Sequence, residues 1–105
     1  MIQPIVLQDD GTFPNNRRPL LLYPGAVPAG DAAVIPAGVA HRCVEVSPDF
    51  RVVGAYPRGQ RWDMCYGKPG ERPEADRRVA ALGDPEQDPV QGAGGALCRL
   101  WEARC

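Results

Sequence analysis

Histidine is nearly absent from this chain: His41 is the only one among 105 residues. One imidazole does not hold a divalent metal ion against water with useful affinity, because such sites draw on several protein ligands. No Ser-His-Asp signature is visible. Residues 92–95 are glycine-rich, but they lack the Lys-Ser/Thr pair of a phosphate-binding loop and precede a predicted strand. The sequence therefore carries no signature of a triad hydrolase or of a P-loop nucleotide-binding protein.

Neither sign of charge is in excess, and long apolar runs are missing. Twelve Lys and Arg stand against 13 Asp and Glu, so the net charge is −1 and gives no reason to expect nucleic acid or an anionic membrane as partner. No apolar run approaches the ~20 residues that span a bilayer. Residues 1–4 show no basic region or apolar stretch of a secretory signal. We therefore expect a cytoplasmic protein.

Cysteine spacing gives no metal-binding or redox motif. The four cysteines, Cys43, Cys65, Cys98 and Cys105, contain no Cys-x-x-Cys pair. In a reducing compartment we expect them to be free thiols. Cys43 and Cys98 lie in apolar, strand-like runs and are predicted to act as small buried hydrophobes, whereas the terminal Cys105 could form adventitious bridges between molecules.

Turn-forming residues are abundant, which suits short strands in one small domain, residues 1–105. Glycine and proline, twelve of each, exceed their usual combined share of roughly an eighth. Strands are predicted at residues 2–8, 20–23, 31–35, 40–46, 50–56 and 96–102, with 40–46 and 50–56 forming an antiparallel hairpin. A helix is predicted at residues 73–82, where Ala75, Val79 and Leu82 repeat on one face. The pattern indicates an all-β fold with one short helix.

The stretch at residues 30–41 contains the chain's most specific motif. Gly30 is followed by Pro36, Gly38 and His41, six, eight and eleven positions later. Pro36 fixes its own φ and Gly38 is free to take a positive φ, so the pair predicts a corner between two extended runs. This spacing resembles the second signature motif of the cupin superfamily. The asparagine usual four residues after the histidine is replaced here by Glu45.

Further segments resemble the YjlB-like cupins: residues 7–11, 14–16, 21–23, 53–57, 62–64, 88–90 and 100–101. The other cupin motif, which contains two histidines, a glutamate and a glycine, should lie before Gly30. Instead, residues 23–29 run directly from the opening strand into Gly30. The resemblance therefore implies a truncated cupin, a double-stranded β-helix or jelly-roll-like barrel with its first, histidine-rich motif deleted.

The resemblance also suggests which side chains line the barrel. Strand alternation places His41, Cys43 and Glu45 on one face, and in a cupin the face with the histidine points inward. Tyr56, Trp62, Asp63 and Tyr66 cluster after the predicted hairpin. The candidate ligand-binding residues are therefore His41, Cys43, Glu45, Tyr56 and Trp62. The alternative is a leftover barrel-lining histidine, with aromatic rings that simply close the barrel end.

Three functional hypotheses follow from the missing motif. A complete cupin binds a divalent metal through three histidines and a glutamate, of which only His41 is left, so we expect no metal and no other cofactor. The favoured hypothesis is a non-catalytic, metal-free cupin-like protein, with a small-ligand-binding barrel completed by homodimerisation, because missing strands expose apolar faces and free edges. The alternative is a metal-dependent oxygenase or isomerase assembled across a dimer around His41. The third is a module that partners a different, complete cupin.

Overall fold

The computed structural model of the protein describes residues 1–28, 30–60, 63–103 and 105. Its strands are β1 (Gln3–Leu7), β2 (Asn16–Val27) and β3 (Gly30–Val34), which form one antiparallel sheet in the order β1-β2-β3. The helices in these residues are short: α1 spans Glu74–Ala81 and α2 spans Ala96–Leu100. Most of the regular structure is strand, which fits the expected all-β class.

The central strand β2 supplies the core of the sheet. Leu21 pairs with Val34 and Tyr23 pairs with Ala32 across the β2-β3 ladder. Because alternate residues of a strand face the same way, Leu21 and Tyr23 are both fully or almost fully buried on one face. Strand β2 is longer than the strand predicted at residues 20–23, since it runs from Asn16 through Pro24 to Val27 with a shift of register after Tyr23.

Helix α2 packs on the buried face of β2, where the sequence predicted a strand at residues 96–102. Leu97 and Trp101 join Leu21 and Tyr23 in the core cluster, and the Trp101 indole Nε1–H donates to the Pro19 carbonyl at 2.8 Å. A spacing of four residues places two side chains on one face of a strand or of a helix, so the periodicity could not separate the two.

Among the described residues no helix has the length and apolar character that a membrane crossing requires.

Asp88 is the buried polar centre to which β2 and α2 are attached. Its side chain accepts hydrogen bonds from the Tyr23 hydroxyl at 2.8 Å and from the Leu97 N–H at 2.9 Å. It also accepts the N–H groups of Val90 and Gln91 at 2.7 and 2.8 Å. These four donors satisfy the carboxylate, which is completely shielded from solvent. The Leu97 bond also caps one of the free amides of α2, and this favours a helix there.

The corner that follows β3 has the geometry expected from its motif. Gly38 has a φ of +89°, and its carbonyl accepts the Asn15 N–H at 3.1 Å. The Asn16 side chain donates to the Ala37 carbonyl at 3.0 Å. A Cβ atom at Gly38 would lie 2.8 Å from the Asn15 oxygen and 3.2 Å from a Val79 methyl group. The corner is therefore clamped between β2 and α1, and only glycine fits.

The chain after this corner departs from the predicted hairpin. In the described part of the region, residues 40–60 and 63–66, no strand forms, and apart from Cys65 the residues are exposed. Turns do occur near the expected sites, with Phe50 N–H donating to the Ser47 carbonyl and Gln60 N–H to the Pro57 carbonyl. The strand predictions for residues 40–46 and 50–56 are wrong because local β propensity forms a strand only where a partner edge is available.

The prediction of four free thiols is wrong for two of them. Cys98 and Cys105 form a disulfide, while Cys43 and Cys65 are free. The chain reverses after α2, where the Ala103 N–H donates to the Cys98 carbonyl at 2.9 Å. This reversal brings the Cα atoms of the two bridged residues to 5.4 Å. Cys98 is buried as expected, whereas Cys43 is exposed.

Tyr23→Phe tests the buried hydrogen bond to Asp88. Because Asp88 would lose one of its four donors in a place that water does not reach, we expect the free energy of unfolding to fall by about 1–3 kcal/mol. The measurement is denaturant unfolding followed by circular dichroism. The matched control is Tyr66→Phe, where the ring is 66% exposed, and a change within about 0.5 kcal/mol is expected. Equal losses in both variants would contradict the role assigned to Asp88.

Gly38→Ala tests the corner. The left-handed φ and the close Asn15 oxygen both oppose a side chain, so we expect a loss of about 1–3 kcal/mol in the free energy of unfolding. Gly54→Ala is the control, because a Cβ at Gly54 meets no atom within 4 Å. Unfolding midpoints of the two variants and the unmodified protein give the comparison. A Gly38→Ala protein as stable as the Gly54→Ala protein would show that the corner is not clamped.

Candidate functional site

The predicted ligand-binding residues lie in the exposed segment beyond the corner. His41, Cys43 and Glu45 follow Gly38 directly, and all three are exposed, as is Tyr56. Trp62 lies outside the described residues. Because no strand forms at residues 40–46, strand alternation does not place these side chains on one face. None of the four described residues lines the surface cavity beside Tyr23 or the one beside Trp101. Their part in ligand binding stays a prediction.

The metal site of a complete cupin is not matched by the donors present. Such a site draws on three histidines and a glutamate, and His41 is the only histidine of the chain. Within the described ranges, no three His, Cys, Asp or Glu side chains come together in a group that could hold a metal ion. The residues that the structure places around His41 therefore do not fit a cupin metal, and no chemical step is derived through one.

Exposed apolar side chains are concentrated between residues 44 and 56, which we call the apolar segment. Val53 and Val44 are 95% and 84% exposed, and four further large apolar side chains of the segment are at least half exposed. These four are Val46, Phe50, Val52 and Tyr56. A folded soluble domain seldom exposes so many apolar groups close together unless they bind another surface. The sequence identified these residues as strand formers but placed them in a barrel wall of the same chain.

Open strand edges accompany the apolar segment. The sheet order leaves β1 on one edge and β3 on the other, so each has one row of backbone N–H and C=O groups without a strand partner in the described part of the chain. Beside the β3 edge, Ile35 is 40% exposed. A free edge of this kind readily accepts an added strand, because the backbone groups are already aligned for pairing.

The larger surface cavity has a volume of about 460 Å³ and lies beside the buried face of β2. Its lining includes Ile2, Tyr23, Pro24 and Val90, and the Gln91 side chain adds an amide. These groups offer polar and apolar contact in about equal measure. Sequence reasoning missed this concavity because it forms only when residues 88–95 fold back against β2, a contact that no local pattern indicates.

The second cavity, of about 260 Å³, lies between the start of β2 and the turn after α2. Arg17, Arg18 and Pro19 form one wall, and Leu100, Trp101 and Glu102 form the other. Arg18 is paired with Asp84 at 2.8 Å. The cavity is therefore bordered by charges of both signs.

The ionisable pairs of the structure act as structural ties. Arg72 bridges Asp9 and Asp76, with N···O distances of 2.6 Å to each carboxylate, and so joins the loop after β1 to α1. The Arg72 hydrogen bond, followed by the Gly11 N–H, lowers the pKa of Asp9 to about 2. An acid with so low a pKa stays ionised near neutral pH and is poorly suited to general acid–base catalysis there.

The buried pair of Tyr23 and Asp88 is equally unsuited to proton transfer at neutral pH. Burial and, after it, the hydrogen bond to Asp88 raise the pKa of the Tyr23 hydroxyl far above its ordinary range. Burial acts to raise the pKa of Asp88, but the hydrogen bonds led by the Leu97 N–H outweigh it and leave the pKa below its usual value. Tyr23 therefore stays neutral and Asp88 stays charged, which keeps their hydrogen bond intact.

Comparison with known proteins gives one informative similarity. No family model matches the chain, and no solved structure matches it. The chain is 48% identical over 73 residues, which is 70% of its length, to the "Uncharacterized protein YjlB" of Bacillus subtilis (strain 168). The matched part is 44% of that relative, so the chain spans less than half the length of the curated relative. The resemblance to YjlB inferred from the sequence is confirmed, and membership of the cupin superfamily stays a prediction.

Proposed function

We propose that this chain is a non-catalytic, metal-free cupin-like protein that completes its barrel by pairing with a second copy of itself. The completed barrel encloses the cavity for a small ligand, to which His41, Cys43, Glu45, Tyr56 and Trp62 contribute. The protein acts in the cytoplasm.

The observation that carries the proposal is the apolar segment. Fully burying one Val or Phe side chain is worth about 1.5–3 kcal/mol. Five Val and Phe side chains and Tyr56 lie within thirteen positions, from Val44 to Tyr56, and each is more than half exposed. Burying these side chains against a partner would offset the entropy that two chains lose on association. A smaller apolar patch gains too little free energy to do so.

The open strand edges of the described residues support strand addition as the proposed mode of pairing. Residues 44–46 and 50–53 have the β-branched and aromatic composition of strands, and the β3 edge is open. Strand addition to the β3 edge of a second copy would give these residues the partner edge they lack in their own chain. A two-fold arrangement places the same exchange on both sides, which closes the assembly at two chains.

The proposal that the protein binds no metal rests on the sequence. The histidine-rich motif is missing and residues 23–29 occupy its place. A dimer contributes two copies of His41, and the alternative function, a metal-dependent oxygenase or isomerase, requires those two side chains and their neighbours to share an ion. Partnership with a complete cupin would instead fill the same open edge with a different chain.

The molar mass in solution tests self-assembly. Size-exclusion chromatography with light scattering should give twice the 11.4 kDa mass of the chain over a range of concentrations. Val46→Lys, in the apolar segment, should weaken the dimer at least about tenfold because a buried lysine charge is costly. Leu82→Lys is the control, since Leu82 at the end of α1 is exposed to the same degree, 49% against 52%. A monomeric unmodified protein, or equal weakening by both substitutions, would overturn the proposal.

Metal analysis separates the proposed function from its alternative. Elemental analysis of protein purified without chelators should find far less than one metal ion per chain, and His41→Ala should change neither the metal content nor the dimer. Stoichiometric iron, manganese, nickel or zinc that is lost in His41→Ala would favour the metal-dependent enzyme instead.

A further inference from the structure

We propose that the Cys98–Cys105 disulfide is a redox-operated latch. In the oxidised protein it holds the C-terminal turn, described at residues 101–103 and 105, against the sheet. Reduction by a dithiol releases this turn and opens the second cavity, while the pairing of β1, β2 and β3 is retained.

The disulfide holds a small contact between α2 and β2 that is part of the core. Helix α2 has only five residues, and Leu97 and Trp101 are its buried anchors on β2. Trp101 lies inside the ring that the disulfide closes, and the ring also includes Ala103, which packs on the core cluster. A segment outside regular secondary structure opens easily unless something ties it down, and here the covalent bond ties it.

The backbone hydrogen bonds of the turn are local. Trp101 N–H donates to the Leu97 carbonyl at 2.8 Å, and Ala103 N–H donates to the Cys98 carbonyl at 2.9 Å. Between them, Glu102 has a φ of +53°, a left-handed conformation that is unfavourable for a residue with a side chain. The disulfide removes open conformations of this segment from the competing ensemble, so the turn depends on the bridge more than the sheet does.

The two bridged residues differ in exposure, and this sets the proposed course of reduction. Cys98 is buried at 9% exposure, whereas Cys105 is only partly buried. A thiolate of the dithiol attacks Cys105 Sγ, and Cys98 leaves as a thiolate that takes up a proton. The second thiol of the reductant then attacks the mixed disulfide. It releases Cys105 as a thiol and forms the oxidised, cyclic reductant, so two electrons and two protons reach the protein.

Release of the turn changes the second cavity because the turn forms one of its walls. Trp101 and Glu102 face Arg17 and Arg18 across this cavity of about 260 Å³. The Trp101 indole is also hydrogen-bonded to the Pro19 carbonyl, next to the two arginines. Loss of this wall exposes the start of β2, with Arg17 and the Arg18–Asp84 ion pair. The redox state of one disulfide thus sets the access of solvent and solutes to this charged surface.

Hydrogen exchange with mass spectrometry tests the latch in a Cys43→Ser/Cys65→Ser background, which prevents thiol exchange with the free cysteines. On reduction with dithiothreitol, amides 101–103 should exchange at least about tenfold faster, while the β1-β2 amides keep their protection. The control replaces Cys98 and Cys105 by serine in the same background, and dithiothreitol should leave its exchange unchanged.

Three results would overturn the latch. The first is unchanged exchange of residues 101–103 on reduction. The second is exchange that accelerates equally throughout the sheet, which would make the disulfide a staple of the whole fold. The third is a protein in which thiol titration finds both cysteines free and oxidised glutathione does not join them.

Discussion

The hydrogen bond between the Tyr23 hydroxyl and the Asp88 carboxylate joins the sheet to the segment that carries α2. A carboxylate without solvent contact is tolerated only when donors surround it. Here one donor comes from the sheet, one from the start of α2 and two from the loop between. Gly95 is part of the same arrangement, because a Cβ there would lie 2.5 Å from the Asp88 Cβ. The position of α2 on β2, and with it both cavities, follows from this one buried charge.

The other half of the chain has the opposite character. Beyond the corner at residues 36–38, apolar side chains face solvent and no strand forms in the described residues up to 66. The local chemistry of this region suits a sheet, but its described residues form no strand pairing with the sheet of their own chain. The proposed homodimer is an inference from this mismatch between composition and surroundings.

Local signals predicted much of the fold. Strand β1, strand β3, helix α1 and the positive φ of Gly38 were all indicated by alternation, helical spacing or turn chemistry. What failed depended on distant contacts. Helix α2 is favoured by Asp88, nine residues before Leu97, and the spacing of Leu97 and Trp101 fits a strand equally well. The disulfide depends on a chain reversal that no cysteine pattern encodes.

For the candidate site, the sequence located the corner before His41 but not the surroundings of the histidine. Whether residues 41–45 line a cavity depends on a partner strand, which single-chain periodicity does not contain. The cavity beside Tyr23 was missed for a related reason, since it forms between segments more than sixty positions apart.

The corner at residues 36–38 limits what the open edge of β3 can do. Pro36 has no N–H to donate, and Gly38 turns the chain away, so the edge offers only the five residues Gly30–Val34 for pairing. Long, flat edges allow chains to add one after another into filaments, whereas a short edge gains too little from each addition to sustain such growth. The corner therefore limits the length of the β3 edge. An edge this short permits the proposed reciprocal pairing of two chains and disfavours open-ended polymerisation.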